Sequence, residues 1–439
     1  MQEKFYRLAD FIAQRIHGAE GFLARYSGER SRFVRFNRAA IRQSGTVEQH
    51  YLTLELFLGS KHVSQRLAIS GGPGDEQRLD IAMAELREML SGATEDPHFL
   101  ISRPVHSTER NDPDLLPGDE VVIPVILDAA AGQDFVGFYA AGPIHNGFAN
   151  SFGQRNWSTV HTCNLDACLY LHGDKAVKLS HGGVEWDEGA FAAKLARANA
   201  QLGLLNRPAK TIAPGGYRVF LSSAAMEDLL GMLGWGGFSL AAHRTRTTPL
   251  LRLARGEAAL NPLVNLTENI KTGLAPEFQD EGFVKPNAVR LILNGQYKDC
   301  LASPRSAEEF RVPHNGANSD ESPVALEMAQ GALAESQILP ALGTGLLIGN
   351  LWYLNYSDRN ACRLTGMTRF ATFWVENGQI TAPVNVMRFD DSIYHMLGSN
   401  LVALTAARDW RLSTDTYDSR STASMHVPGA LIDDLRLTL

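Results

Sequence analysis

Four leucines, Leu52, Leu54, Leu56 and Leu58, alternate with Thr53, Glu55 and Phe57. Apolar side chains at every second position share a face only in an extended strand. The run therefore predicts a sheet with one face buried and the other largely solvated. Such a sheet needs helices on one side, and the flanking sequence supplies them. Phe5, Leu8, Ala9, Ile12 and Ile16 recur every three or four residues, which predicts an amphipathic helix ending near Gly18. Gly71, Gly72, Pro73 and Gly74 break the chain, and Asp75 is placed to cap a second helix carrying Leu79, Met83, Leu86 and Leu90 on one face. With a further strand at Arg32 to Phe36, the order helix, strands, helix predicts an α+β region.

Beyond it, Asp96 to Gly118 lacks periodicity and reads as a surface loop. Val121 to Leu179 reads as strand-rich, with His172, Gly173 and Asp174 as a hairpin turn, and Phe191, Leu195 and Leu202 mark another helix. Asn206 to Gly216, with two prolines and adjacent glycines, is the expected domain boundary, giving an N-terminal α+β domain over 1–206 and a β-rich domain over 207–439. Within the β-rich domain a single helix, Ala224 to about Leu233, precedes short strand-like runs at Ala288–Leu293, Leu346–Tyr353, Phe370–Val375 and Pro383–Phe389. The predicted fold class is α+β: amphipathic helices packed on a sheet, then a mostly β, barrel-like C-terminal domain.

The 439 residues suffice for two or three domains. A formal charge of -7, with 41 basic against 48 acidic side chains, argues against direct, sequence-independent nucleic-acid binding, which depends on cations neutralising phosphates. Four scattered cysteines suit a reducing compartment. Glu3 and Asp10 interrupt any signal-peptide core, and the longest uncharged run, Ser336 to Ser357, is broken by Pro340 and three glycines. A cytoplasmic protein without a membrane segment is expected.

Local motifs exclude more than they establish. There is no phosphate loop, no dinucleotide fingerprint and no Gly-x-Ser-x-Gly elbow. His161, Cys163, Cys168 and His172 resemble a zinc cluster by count, yet in a continuous strand the first two face away from the last two; a turn near Asn164 would be needed to join them. None of the 13 histidines is followed by Glu, as a zincin helix requires. His243 reads as a solvated histidine after a helix. Asp390 and Asp391 are adjacent carboxylates that on a strand face opposite ways, and a solvated turn is their plainer role.

The C-terminal half carries a more specific pattern. Gly349-Asn-Leu-Trp-Tyr-Leu-Asn355, then Leu364-Thr-Gly-Met-Thr-Arg369, then Phe373-Trp-Val-Glu-Asn-Gly-Gln-Ile380 followed by Pro383 and Val384 resembles the TldD/PmbA family, also called modulator of DNA gyrase and classed with metallopeptidases. Phe278 to Tyr297 and Arg38 to Gly59 are similar to further family segments. The resemblance implies a dimer, and in catalytic members a zinc held by a helical His-Glu-x-x-x-His and a C-terminal Cys. Here the corresponding positions, within one residue of register, are Gly231, Met232, Trp235 and Gly236, with Met425 near the place of the Cys. No catalytic residue is therefore assigned, and no cofactor is expected in this chain. The resemblance implies the TldE/PmbA type: a subunit pairing with a zinc-bearing TldD-like protease, or with itself, and acting on unfolded peptides. Asn350, Tyr353, Asn355, Thr368 and Arg369 are the candidates for lining a peptide cleft. The alternatives are an independent hydrolase built around His161, Cys163 and His172, and a homodimeric regulator that binds a protein such as gyrase.

Overall fold

The computed structural model describes residues 1–173 and 175–438. A first sheet contains β1 (Gly21–Asn37), β2 (Ala40–Leu58), β3 (Lys61–Ala68), β4 (Glu109–Asn111), β5 (Asp134–Asn150), β6 (Arg155–His172) and β7 (Lys175–Gly183). Its order is β3-β2-β1-β5-β6-β4, with β7 also paired to β6. The leucine alternation is the C-terminal end of β2: Leu52, Leu54 and Leu56 are buried against α1 (Gln2–Ala13) and α2 (Gly74–Gly92), whereas Leu58, the last residue of the strand, is exposed. The opposite face is not solvated at this end. Phe57 packs there with Leu23, Ile101, Phe148 and Phe278, so the segment predicted as a surface loop contributes to a second, smaller core.

Three local predictions change for identifiable reasons. Helix α1 ends at Ala13, before Ile16. Asp75 does not cap α2; its carboxylate turns back to accept the N–H groups of Ser70 and Gly71 at 3.0 and 2.6 Å, and it pairs with Arg78. The apolar run from Val121, predicted as strand, forms α3 (Asp119–Ala129), because a continuous apolar stretch carries no period to separate buried helix from buried strand. The hairpin turn at His172 and Gly173 joins β6 to β7; the third predicted turn residue, Asp174, lies outside the described residues. Helix α4 (Glu188–Leu205) then covers β6 and β7 through Phe191 and Leu195.

A second sheet follows: β8 (Gly215–Leu221), β9 (Leu266–Glu268), β10 (Val289–Leu293), β11 (Gln296–Tyr297), β12 (Ala325–Met328), β13 (Gly345–Asp358), β14 (Arg363–Glu376), β15 (Gln379–Pro383), β16 (Arg388–Ser392), β17 (Leu401–Leu412) and β18 (Ser424–Leu437). Five strands close on themselves in the order β8-β13-β14-β16-β18, with β18 returning to β8. The contact of β16 with β18 is a single pair, Phe389 with Leu437, so the ring is closed but not a regular barrel. Val219, Leu221, Leu346, Ile348, Leu364, Phe389 and Ile432 fill one core here. Between β8 and β13 the backbones approach so closely that a Cβ on Gly345 would lie 2.1 Å from the carbonyl oxygen of Arg218. Only glycine fits. The two sheets also share a core, since Ala371 and Phe373 of β14 pack with Val177, Leu179, Phe191 and Leu195.

Candidate functional site

Helix α5 (Ser223–Gly231) leaves the end of β8 and lies against β13. Ser222 caps it, accepting the N–H of Ala225 and donating its hydroxyl to the carbonyl of Gly349 at 2.5 Å. At its other end the Tyr356 hydroxyl donates to the carbonyl of Met232 at 2.7 Å. Ala225, Met226, Leu229 and Leu230 are buried. Ala224, Glu227, Asp228 and Gly231, spaced as one helix face, turn instead to a cleft of about 390 Å³.

The cleft lies between the sheets. Asp166 and Lys178 come from β6 and β7, Asn350 from β13, Arg411 from β17, Met425 from β18, and Met232 and Trp235 from the turn after α5. The positions that the family resemblance equates with zinc ligands are thus brought together incompletely: Gly231, Met232, Trp235 and Met425 line one cavity. Met425 is close enough that a Cβ on Gly231 would stand 3.9 Å from its Cε. Gly236 points elsewhere, its φ of +77° placing it beside Arg359.

These side chains do not fit zinc. Glycine has no donor, indole is only a hydrogen-bond donor, and a pair of thioethers is a poor substitute for imidazole and thiolate. Two of the cleft's three carboxylates are engaged otherwise. Glu227 holds Arg411 at 2.6 Å, and Asp166 pairs with Lys178 at 3.2 Å. Among the described residues no group of three His, Cys, Asp or Glu side chains is arranged to hold a metal ion.

The electrostatics follow from burial. Desolvation pushes Asp228 up to about 6; the N–H of Leu351, donated at 3.1 Å, opposes this and the Glu227 carboxylate adds to it. Burial alone would lower Arg411, but the Glu227 carboxylate more than reverses it, and the guanidinium also reaches the Ser180 hydroxyl on β7. Arg411 therefore ties α5 to both sheets. Beside it Asp409, held below the usual range by Lys194 and the Ser223 hydroxyl against the effect of burial, accepts from that hydroxyl.

Of the five predicted cleft residues, Asn350 lines this cavity. Tyr353 is 80% exposed at a positive φ. The side chain of Asn355 accepts the N–H of Tyr356. Thr368 is buried, its hydroxyl accepting the N–H of Met387 at 3.0 Å. Arg369 lies over the rings of Trp352 and Phe370.

The His161, Cys163, Cys168 and His172 set is not brought together. Strand β6 runs without a turn at Asn164, which pairs Ala140 and Gly182, so the alternation of faces stands. Eleven residues of strand put His161 roughly 30 Å or more from His172. Burial raises the Cys163 thiol to about 11, which suppresses its thiolate. His243 is not solvated; its Nε2 lies 3.0 Å from the carbonyl of Gly237, and its ring packs on Tyr297. Asp390 and Asp391 do face opposite ways on β16, but Asp391 is buried rather than in a solvated turn. It meets His395 at 2.9 Å and the N–H of Arg436 at 3.0 Å.

Glu227, Asp228, Asp166, Lys178 and Arg411 were not singled out from sequence. For the first two a signal existed: an acidic pair at the third and fourth positions from Ala224, inside an otherwise apolar helix. The other three arrive through long-range pairing and had none.

A closed five-strand ring, packed edge-on to a helix-covered sheet with a cleft at the join, defines an α+β scaffold of two sheets. The sequence profile of the PmbA/TldA metallopeptidase C-terminal domain matches residues 214–439, more than half of the chain, and the chain belongs to the PmbA/TldD family. No curated protein sequence gives a match. Three solved structures share the fold throughout. A candidate modulator of a DNA gyrase from Thermotoga maritima has a TM-score of 0.77 at 14% identity, covering 100% of both chains. TldE from Thermococcus kodakarensis has 0.77 at 14%, covering 99% of this chain and 100% of its own. A candidate modulator of DNA gyrase from Bacteroides thetaiotaomicron has 0.74 at 16%, covering 99% and 98%.

Proposed function

We propose that this chain is the TldE/PmbA-like, non-catalytic subunit of a cytoplasmic peptide-cleaving dimer whose zinc is carried by a TldD-like partner. The observation that carries the reading is the cleft itself: four of the five positions equated with zinc ligands line it, and they present Gly231, Met232, Trp235 and Met425. The cavity is retained and its donors are not. In this reading the chain divides near residue 206, and the β-rich half shapes the groove in which an unfolded peptide is held, with Asn350 at its wall and Tyr353, Asn355, Thr368 and Arg369 along the adjoining hairpin. An extended peptide in such a groove is held chiefly by main-chain hydrogen bonds, which tolerate many sequences. Absence of any helix long and apolar enough to cross a membrane, among the described residues, is compatible with a cytoplasmic complex.

The test is co-purification of this chain with a TldD-like protein, metal analysis of each subunit, and cleavage of an unstructured peptide by each alone and by the mixture. Zinc in the partner only, with activity requiring the partner, is expected. Stoichiometric zinc and hydrolysis by this chain alone would overturn the reading.

A further inference from the structure

The charges around the cleft do not balance. Asp166 is matched by Lys178 and Glu227 by Arg411, each within ion-pair distance. Asp228 lines the same cavity, takes one hydrogen bond from the N–H of Leu351, and forms no ion pair among the described residues. Nearby stand Met232, Met425 and Trp235, the last 58% exposed. A carboxylate without its own counter-ion, beside an open indole and two polarizable thioethers, suits an organic cation. The carboxylate accepts N–H hydrogen bonds, the indole face attracts positive charge, and the thioethers pack on methylene groups. An anion is poorly served, because both cations are already paired and Asp228 would repel it. A volume of about 390 Å³ admits the end of a peptide or one long side chain.

We propose that this cleft binds a primary ammonium group of an unfolded peptide, with Asp228 as its hydrogen-bonded counter-ion and Trp235 as its wall. The inference rests on the peptide-binding reading above and names the group recognised. In such a peptide the ammonium is either the amino terminus or a lysine side chain. Asp228 faces Glu227 on its own helix, Arg411 from β17, and the Asp166–Lys178 pair from β6 and β7. With its carboxyl at about 6, Asp228 is ionised at pH 7.5, and the preference for an ammonium declines as pH falls through about 6.

The experiment uses the full chain at pH 7.5 and one unstructured sequence free of Lys and Arg, dye-labelled at its C-terminus, read by fluorescence anisotropy. The peptide is made with a free amino terminus, acetylated, and acetylated with one internal lysine. The free amine is expected to bind about tenfold more tightly than the acetylated peptide, the effect of one charge-assisted contact. Asp228→Asn, which still accepts the Leu351 N–H, should abolish that preference, bringing the free amine down to the affinity of the acetylated peptide. Trp235→Leu should reduce the preference several-fold. Recovery of tight binding by the lysine peptide assigns either amine as a ligand, and its failure assigns the amino terminus alone. Equal binding of free and acetylated peptides, no binding of any, or a preference that survives Asp228→Asn overturns the proposal. Because the preference is read on this chain by itself, its loss leaves the co-purification and zinc results untouched, and the reverse holds too.

Discussion

Asparagine at position 228 is expected to stabilise the protein at neutral and alkaline pH while removing its amine preference. Burial holds the Asp228 carboxyl at about 6, against 3.8 for the free side chain, and the neighbouring Glu227 adds to the effect. Ionising it in place therefore costs about 3 kcal/mol. Water reaching the open cleft, together with Arg411 and Lys178 nearby, relieves some of this, so an uncharged amide should recover about 1–2 kcal/mol. The sign follows from proton linkage. Below about pH 3 both the folded and unfolded carboxyls are protonated, and aspartate and asparagine proteins should be similarly stable. Between 4 and 6 the unfolded chain ionises first, so the aspartate protein loses stability as pH rises; above 6 the deficit is full and constant. Urea unfolding at pH 5, 6.5 and 8 measures the gap, which should widen from pH 5 to 6.5 and then level off. A less stable Asp228→Asn protein at pH 8, or a gap that ignores pH, refutes the reasoning, since the carboxylate would then be held by its neighbours rather than disfavoured by burial.

Two further perturbations probe how the cleft is built. Arg411→Met leaves Glu227 beside Asp228 with no paired cation and should cost about 2–4 kcal/mol; adding Glu227→Gln should restore more than half, as a double-mutant cycle in urea would show. Arg420 reaches back from the loop after β17 to the carbonyls of Gly142 and Thr162 at 3.2 and 2.7 Å, and its N–H meets the buried carboxylate of Glu29. Arg420→Ala should cost about 2–3 kcal/mol and bring earlier proteolysis between Ser413 and Ala423, with unchanged cleavage counting against an anchoring role.

What the sequence disclosed depended on whether a contact was local. The leucines of β2 and the apolar stripe of α1 express their periods locally, and both elements form, although α1 stops at Ala13 before Ile16 and Leu58 at the end of β2 is exposed. Helix α3 has no period to read, and Asp75 chose backbone donors behind it over those ahead, a competition between near-equal local partners that pattern alone does not decide. The run Pro383–Phe389, predicted as one strand, splits into the end of β15 and the start of β16. Strands β17 and β18 were not predicted, and the ring depends on the second of them. At the site, Gly231, Met232 and Met425 were reachable through family resemblance. Arg411 was not, because it meets Glu227 across 184 residues only once β17 and β18 pair.

That pairing also explains how the walls of the cleft are held together. Arg411 and Met425 are opposite one another on β17 and β18, so the strand pair that brings Met425 to Gly231 brings the guanidinium to Glu227. From there it spans to Ser180 on β7, and Asn164 on β6 donates to the carbonyl of Ser413 just beyond β17 at 3.0 Å. The cleft walls are consequently cross-linked by side chains that a tetrahedral metal site would not need. At position 231 an added Cβ would stand 3.9 Å from the Met425 Cε, so the glycine leaves that wall of the cavity bare, while the ion pair fixes α5 against β17. Space, thioethers and one unmatched carboxylate are what remain for a ligand, and together they select for positive charge on an apolar stem rather than for a metal.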